Sequence, residues 1–180
     1  MRRRLLLGVA IGMVPAVARA QVVAPGWEEI VGPEGRYRLQ LPHGYKHIEA
    51  QPRPTAGMFR EYSFAFPGKF SLELMVTDFA GNQSGLPAAA AEIPARLEEI
   101  QRGMQRSWPD ATVLEQKPIR LGPVEGRAFT FEIDHGRSIV MVRLYQATQA
   151  LYTQVAEAVL AERQNPAISR FFDSLRLDRP

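Results

Sequence analysis

The clearest hydrophobic pattern in this sequence lies at residues 126–156, where three apolar runs are separated by short polar turns. In the first run, Phe129, Phe131 and Ile133 alternate with polar residues. This period of two is typical of a β-strand with one buried face. The polar residues at 134–136 then predict a tight turn into the second run.

The second run predicts a strand with two apolar faces. Its faces carry Ile139 and Met141 on one side and Val140, Val142 and Leu144 on the other. Because both faces are largely apolar, we expect this strand to lie in the interior of a sheet. The three runs together predict an antiparallel meander.

The N-terminal half predicts more strands by the same alternation. Residues 36–42 give a strand that ends at a proline and is expected to continue after a kink at Gly44. Residues 58–66 and 69–77 flank a proline–glycine pair, which predicts a β-hairpin. Residues 113–121 predict a further strand that leads into the meander.

Two segments have the spacing of amphipathic helices. The first spans residues 93–107, and its apolar stripe consists of Ile93, Leu97, Ile100 and Met104. The second follows Asn165 and Pro166, a pair typical of an N-cap and a first-turn proline. Its apolar face consists of Ile168, Phe171, Phe172 and Leu175. Because both stripes must be buried, the fold class is α+β, an antiparallel β-sheet flanked by helices.

Length and composition fit one globular domain. The 180 residues are 46% hydrophobic and 23% charged, which is enough apolar material for a core. We divide the chain into a signal peptide at residues 1–20, an N-terminal extension at 21–34 and a single sandwich domain at 35–180.

The first twenty residues have the three parts of a secretory signal peptide. Three arginines follow Met1, residues 5–14 are apolar, and small residues precede a predicted cleavage between Ala20 and Gln21. Ten apolar residues are too few to span about 30 Å of hydrocarbon, so no stable membrane anchor is expected after processing. The predicted location is periplasmic or secreted, by either the general secretory or the twin-arginine route.

Cleavage changes the charge of the protein. The whole chain has a formal net charge of +3, but residues 1–20 contain four of its arginines, so 18 basic and 19 acidic residues remain. A mature charge of about −1 argues against a nucleic-acid partner, which requires clustered positive charge. The chain also has no cysteine, which excludes disulfides and thiol chemistry.

The three histidines are candidate metal ligands or acid–base groups. His43 and His47 are four residues apart but flank Gly44, where no helix is expected to bring them together for a metal. His135 lies in the predicted turn with Asp134. We therefore predict two solvated loop histidines and one turn histidine, with no metal site and no cofactor.

Other candidate catalytic groups lack the required partners. Ser138 and Ser174 do not lie in a nucleophile motif, and no glycine-rich nucleotide-binding sequence follows a strand. Glu98 and Glu99 are expected on the wet face of the first helix, where Arg102 is at ion-pairing distance along the helix. A sequon at residues 82–84 is interpreted as an exposed turn. No catalytic residue is predicted.

Two features leave a binding role open. Arg143 interrupts an apolar strand, so it is expected either to pair with a carboxylate at the sheet margin, which we favour, or to contact an anionic ligand. Tyr62, Phe64 and Phe66 share one strand face. They are ordinary core residues or, alternatively, the lining of a pocket for a small apolar ligand.

The order of these features resembles the PsbP-like superfamily. The resemblance rests on GRYRLQLPHGY at 35–45, VEGRAFTF at 124–131, RLY at 143–145, LY at 151–152 and ISRFFDSL at 168–175. It implies an α/β/α sandwich around an antiparallel sheet, and a binding or assembly role. The superfamily includes extrinsic photosystem II subunits, a nuclear factor that binds a small GTPase, and bacterial exported proteins without an assigned function. No functional residue of the family is carried over to this chain.

The sequence thus predicts an exported, non-enzymatic domain that binds a protein partner or helps maintain the envelope. The alternatives are a periplasmic carrier of a small apolar ligand and an uncharacterised hydrolase. The identity of a partner or ligand and the oligomeric state do not follow from the residues.

Overall fold

The computed structural model of the chain describes residues 26–53, 57–79 and 90–178. The predicted cleavage point between Ala20 and Gln21 and the sequon at residues 82–84 lie outside these ranges.

The described residues form ten strands and two α-helices, and short 3-10 helices lie in some of the connections. In chain order they are β1 (Trp27–Val31), β2 (Tyr37–Pro42), β3 (Lys46–Arg53), β4 (Gly57–Phe66), β5 (Phe70–Asp78), α1 (Ile93–Arg106), β6 (Thr112–Leu121), β7 (Val124–Ile133), β8 (Ser138–Gln146), β9 (Ala150–Val159), α2 (Pro166–Ser174) and β10 (Arg176–Leu177).

The strands form two sheets in which the paired strands are antiparallel. The large sheet has the order β3-β4-β5-β9-β8-β7-β6, and the small sheet has the order β1-β2-β10. The predicted meander is β7-β8-β9, and the predicted hairpin is β4-β5. Strand β8 lies inside the sheet with both faces covered, as its two apolar faces require.

Helix α1 covers one face of the large sheet. Its stripe packs on alternate residues of β7 and β8 to give the first core, formed by Leu97, Phe129, Phe131, Ile133, Val140, Val142, Leu144 and Val155. The other face carries the second core, where α2 and the small sheet pack on side chains such as Ile139, Leu72 and Leu74. The predicted α+β class and the predicted helical stripes are confirmed.

The sequence predicts that the strand ending at Pro42 continues after a kink at Gly44, but the structure has two separate strands there. Strand β2 belongs to the small sheet, whereas β3 pairs with β4 at the margin of the large sheet. The chain therefore changes sheets at the turn formed by His43 and Gly44, and Gly44 has a φ of +87° that favours glycine. The predicted kink within one strand is therefore wrong, because the turn connects two strands that belong to different sheets.

The small sheet includes part of the predicted N-terminal extension. Strand β1 pairs along its whole length with β2, and its Ile30 is buried in the second core. The outer strands of the large sheet are interrupted by register shifts, one between Ile48 and Gln51 and one between Val113 and Glu115. Such bulges, together with Pro118 in β6, disfavour pairing with strands of other molecules.

Candidate functional site

A cleft opens on the second face of the large sheet, between α2 and β6. Its floor follows from the strand register, which places β7 residues between longer side chains of β6 and β8. In one row Ala128 lies between Lys117 and Arg143, and in the next row Thr130 lies between Glu115 and Met141. Because alanine and threonine are short, the surface is lowest along β7.

Helix α2 forms the opposite wall of this cleft. Ser169, Phe172 and Asp173 line it together with Arg163, which precedes the helix. The volume of the cleft is about 210 Å³, and the cleft is open to solvent. We refer to the space lined by these residues as the α2–β6 cleft.

The ring of Tyr145 closes one end of the cleft floor, where it lies over a glycine of β7. Gly126 precedes Ala128 on the same face of β7, and a Cβ atom there would lie 2.4 Å from the carbonyl oxygen of Leu144 and 2.6 Å from the ring of Tyr145. The Tyr145 ring therefore occupies the space above Gly126 that stays open above Ala128. The α2–β6 cleft is therefore a local depression and does not run along the whole of β7.

The charges of the cleft are arranged in pairs with one cation left over. Lys117 donates to Glu115 at 2.7 Å, and Arg143 donates to Asp173 at 3.0 Å. The guanidinium of Arg163 makes no ion pair or hydrogen bond with another described residue. Its positive charge, after that of Lys117, helps to hold the pKa of Glu115 below its ordinary value.

Arg143 pairs with a carboxylate, as expected from the sequence, but this carboxylate is Asp173 of α2 and not one at the sheet margin. Besides its ion pair with Asp173, its Nη1 donates to the carbonyl oxygen of Phe172 at 3.3 Å. The guanidinium carbon lies 4.9 Å from the centre of the Phe172 ring, a cation–π contact. These contacts fix Arg143 to the end of α2, so it forms part of the wall of the cleft.

Hydrogen bonds from the sheets hold α2 in place over the large sheet. The buried Gln154 side chain donates to the carbonyl oxygen of Phe171 at 2.9 Å. Ser174 Oγ donates to the same carbonyl and accepts the backbone N–H of Gln40 from β2. Asn165 caps the helix by accepting the N–H of Ala167, as predicted. The hydroxyl of Ser174 therefore makes structural contacts, and Ser138 begins β8.

The three histidines take separate neighbours. His43 Nδ1 lies 2.7 Å from Glu28 of β1, while His47 stacks on the ring of Tyr62 with 4.5 Å between ring centres. His135 lies in a short turn with a φ of +54°. Within the described parts of the chain, no group of three or more acidic or histidine side chains is arranged to hold a metal ion.

The partner of Glu98 differs from the predicted one. Among the described residues its ion pair is with Arg127 of β7 at 3.1 Å, not with Arg102 along the helix. Arg127 also donates to the buried Gln101 at 2.6 Å, and Gln101 donates to Gln116 of β6 at 2.8 Å. This network joins α1 to the β6–β7 margin. Glu98 pairs with Arg127 rather than with Arg102, because Gln101 also accepts from Arg127 and holds its guanidinium close to α1.

The aromatic strand face of β4 packs as core. Tyr62 is buried, and Phe64 and Phe66 pack on the second core. The hydroxyl of Tyr37 donates to that of Tyr62 at 3.0 Å, and burial followed by this hydrogen bond raises the pKa of Tyr37. This arrangement favours the ordinary core interpretation for the three residues.

Most of the α2–β6 cleft was missed by the sequence analysis. Arg143 was singled out because it interrupts an apolar strand, but Lys117, Ala128 and Arg163 carry no local signal. The long–short–long pattern becomes visible only when the register of β6, β7 and β8 is known. Within the described ranges, no helix has the length and hydrophobicity needed to cross a membrane.

Comparison with solved structures defines the class of fold. The chain has a PsbP-like fold, with an antiparallel sheet covered by helices, as the resemblance implied. No protein-family model matches the sequence. No curated protein sequence matches it either.

The chain is similar in structure to cyanobacterial PsbP (CyanoP) from Synechocystis sp. PCC 6803, whose solution structure is known. The TM-score is 0.56 at 9% sequence identity, and the match covers 91% of this chain and 99% of that chain. A Pseudomonas aeruginosa protein of unknown function matches more distantly, with a TM-score of 0.40, 11% identity, and coverage of 69% of this chain and 78% of that chain. At these identities the likeness concerns the fold.

Proposed function

We propose that this protein is an exported, non-enzymatic domain that binds a protein partner through the α2–β6 cleft. The observation that carries the proposal is the shape and lining of the cleft. The apolar part of its floor is formed by Ala128, Met141 and Phe172, with Thr130 beside them, and its rim is charged. An apolar centre with a polar rim is the usual arrangement of a protein-binding site.

The size of the cleft favours an anchoring side chain over an enclosed small molecule. Pockets that bury small ligands are typically about 300–1,000 Å³ and surround most of the ligand. A volume of about 210 Å³ that opens to solvent offers room for one side chain of a partner. A role in maintaining the cell envelope is compatible with such a contact.

The proposed export rests on residues 1–20. Their basic start, apolar centre and small residues before Gln21 support transfer to the periplasm or the medium. Mass spectrometry of the protein recovered from its host is expected to give Gln21 as the first residue. Recovery of the chain with residues 1–20 still attached would contradict export with cleavage.

Site-specific photo-crosslinking in the native host tests the proposed binding site. A benzophenone side chain would replace Ser169 or Lys117, which lie on opposite walls of the cleft and have exposed side chains. Both positions are expected to give the same protein adduct. A third variant with the probe at Glu99, exposed on α1, is the control and is expected to give no such adduct.

The outcomes separate the proposed function from its alternatives. Absence of an adduct from both cleft positions, or the same adduct from Glu99, would contradict binding through the cleft. An apolar molecule that co-purifies with the protein in native mass spectrometry would favour the carrier. Turnover of a metabolite that is lost when His43, His47 and His135 are replaced together would favour a hydrolase.

A further inference from the structure

We propose that the partner segment which enters the α2–β6 cleft presents an apolar side chain next to a carboxylate. This inference rests on the proposed function and names the chemistry of the partner at that site. It follows from two properties of the cleft, its unpaired cation and its apolar floor.

The cation is Arg163. In the cleft, the charges of Lys117 and Glu115 compensate each other, as do those of Arg143 and Asp173, so one positive charge remains. The Arg163 backbone is fixed, because its N–H donates to the carbonyl oxygen of Leu160 in the turn before α2. The exposed guanidinium lies at the margin of the cleft, and its donors are available for a carboxylate.

The apolar part of the floor is the reason for the second group of the partner, the apolar side chain. Ala128 and Met141 are partly exposed between the two charged walls, and Phe172 closes the floor beneath α2. An apolar side chain placed there removes this surface from water without breaking either ion pair. A carboxylate on an adjacent residue of the same segment then reaches the rim, where Arg163 lies.

Three blocked tripeptides probe this chemistry on the purified mature protein. They are acetyl-Gly-Phe-Asp-amide, acetyl-Gly-Phe-Asn-amide and acetyl-Gly-Ala-Asp-amide. Binding is followed by NMR titration of the Ala128 and Met141 methyl groups. We expect the Phe-Asp peptide to bind about threefold more tightly than the Phe-Asn peptide, a preference that weakens in 0.5 M salt because the charges are exposed. The Ala-Asp peptide is expected to bind most weakly.

Two arginine variants assign the preference to its source. Arg163→Gln is expected to make the Phe-Asp and Phe-Asn peptides bind equally while both still shift the Met141 methyl signal. Arg102→Gln is the matched control, because Arg102 is an exposed arginine on α1, away from the cleft. It is expected to leave the threefold preference unchanged. Both side chains are exposed, so both variants are expected to fold.

Several results would overturn the inference. They are equal binding of the acid and amide peptides to the unaltered protein, a preference that survives Arg163→Gln, and no methyl shift at millimolar peptide. Binding of free 3-phenylpropionate as tightly as the Phe-Asp peptide would point to a small ligand instead of a protein segment. If cleft-specific photo-adducts form while the peptides show no preference, the proposed function stands and only this chemistry is wrong.

Discussion

At the scale of single residues, Ser174 connects the end of α2 to the middle strand of the small sheet. Its Oγ accepts the N–H of Gln40 at 3.0 Å and donates to the carbonyl oxygen of Phe171 at 2.8 Å. Ser174→Ala leaves the Gln40 N–H without this acceptor. We expect a loss of about 1 kcal/mol in the free energy of unfolding, measured by urea denaturation.

Ser169→Ala provides the control for this prediction. Ser169 lies on the same helix, but its side chain is exposed and makes no hydrogen bond with another described residue. Its replacement is expected to change stability by less than about 0.5 kcal/mol. Equal effects of the two substitutions would show that the Ser174 hydrogen bonds do not stabilise the packing of α2.

The carboxyl group of Glu73 is expected to make the stability of the protein depend on pH. Burial, and secondly the charge of Glu61, raise the pKa of the Glu73 carboxyl above its ordinary value. The folded state therefore binds this proton more tightly than the unfolded state. The resulting stability is present below the unfolded pKa of about 4.3 and is lost as pH rises through the higher folded-state pKa.

Glu73→Gln is expected to remove this pH-dependent loss. Glutamine has the shape of the protonated carboxyl, so the variant should have a higher melting temperature than the unaltered protein at pH 7. The difference should disappear below about pH 4, where Glu73 is protonated in both states. Glu99→Gln, at an exposed position on α1, is the control and should not stabilise the protein at pH 7. A lower melting temperature for Glu73→Gln at pH 7 would refute the prediction.

At this scale, charged residues can be recognised in the sequence more readily than their partners. Arg143 was recognisable because it interrupts an apolar run, yet its partner Asp173 is 30 positions away. Glu98 has Arg102 one turn along its own helix, but pairs with Arg127, 29 positions away. The local spacing is visible in a sequence, whereas the approach of a helix to a strand depends on the packing of both cores.

At the scale of elements, Arg127 joins α1 to the β6–β7 margin. It donates to Gln101, which is only 5% exposed, and to Glu98. Arg127→Leu leaves the oxygen of the buried Gln101 without this donor. We expect the free energy of unfolding to fall by about 1–3 kcal/mol, measured by chemical denaturation.

Arg120→Leu is the matched comparison on the same hairpin. The Arg120 side chain is 67% exposed, and its ion pair with Glu125 spans 3.6 Å. Surface ion pairs contribute about 0–1 kcal/mol, so this variant should be the less destabilised of the two. If Arg120→Leu destabilises the protein as much as Arg127→Leu, the buried network is not the source of the effect.

The longer elements were predictable, and the short ones were not. Strands β7, β8 and β9 and both helices have enough turns or alternations for their patterns to be read. Strand β10 has two residues, and β1 has five. Neither strand is long enough to show a clear alternation of apolar and polar residues. The small sheet is therefore not visible in the sequence, and β2 and β3 look like one strand. The turn at Gly44 looks the same in a sequence whether the chain stays in one sheet or changes layers.

At the scale of the whole molecule, the α2–β6 cleft depends on the relative position of three strands and one helix. A shift of one residue in the pairing of β6 with β7 would place Gln116 and Pro118 over the floor in place of Glu115 and Lys117. Hydrophobic alternation predicts which face of a strand is buried, but it does not give the register between strands. The fold class was therefore predictable from the sequence, whereas the cleft was not.

The position of β1 in the fold makes a prediction about where the domain begins. Ile30 is 5% exposed in the second core, whereas its neighbour Val31 points outward and is 51% exposed. Trp27 also packs on this core, and its ring contacts the Arg170 guanidinium at 4.5 Å. A chain that starts at residue 35, the predicted domain boundary, is expected to be at least about 3 kcal/mol less stable than one that starts at residue 21.

Two point substitutions in the longer chain test whether this loss arises from packing. Ile30→Ala should cost about 2–5 kcal/mol, because it removes buried methyl groups and leaves a cavity beneath the small sheet. Val31→Ala should cost less than about 0.5 kcal/mol, because its side chain is already largely in water. Equal stability of the chains starting at residues 21 and 35 would show that β1 is dispensable and that the domain begins at residue 35. A loss shared by truncation and Ile30→Ala, but not by Val31→Ala, would make residues 27–31 part of the domain.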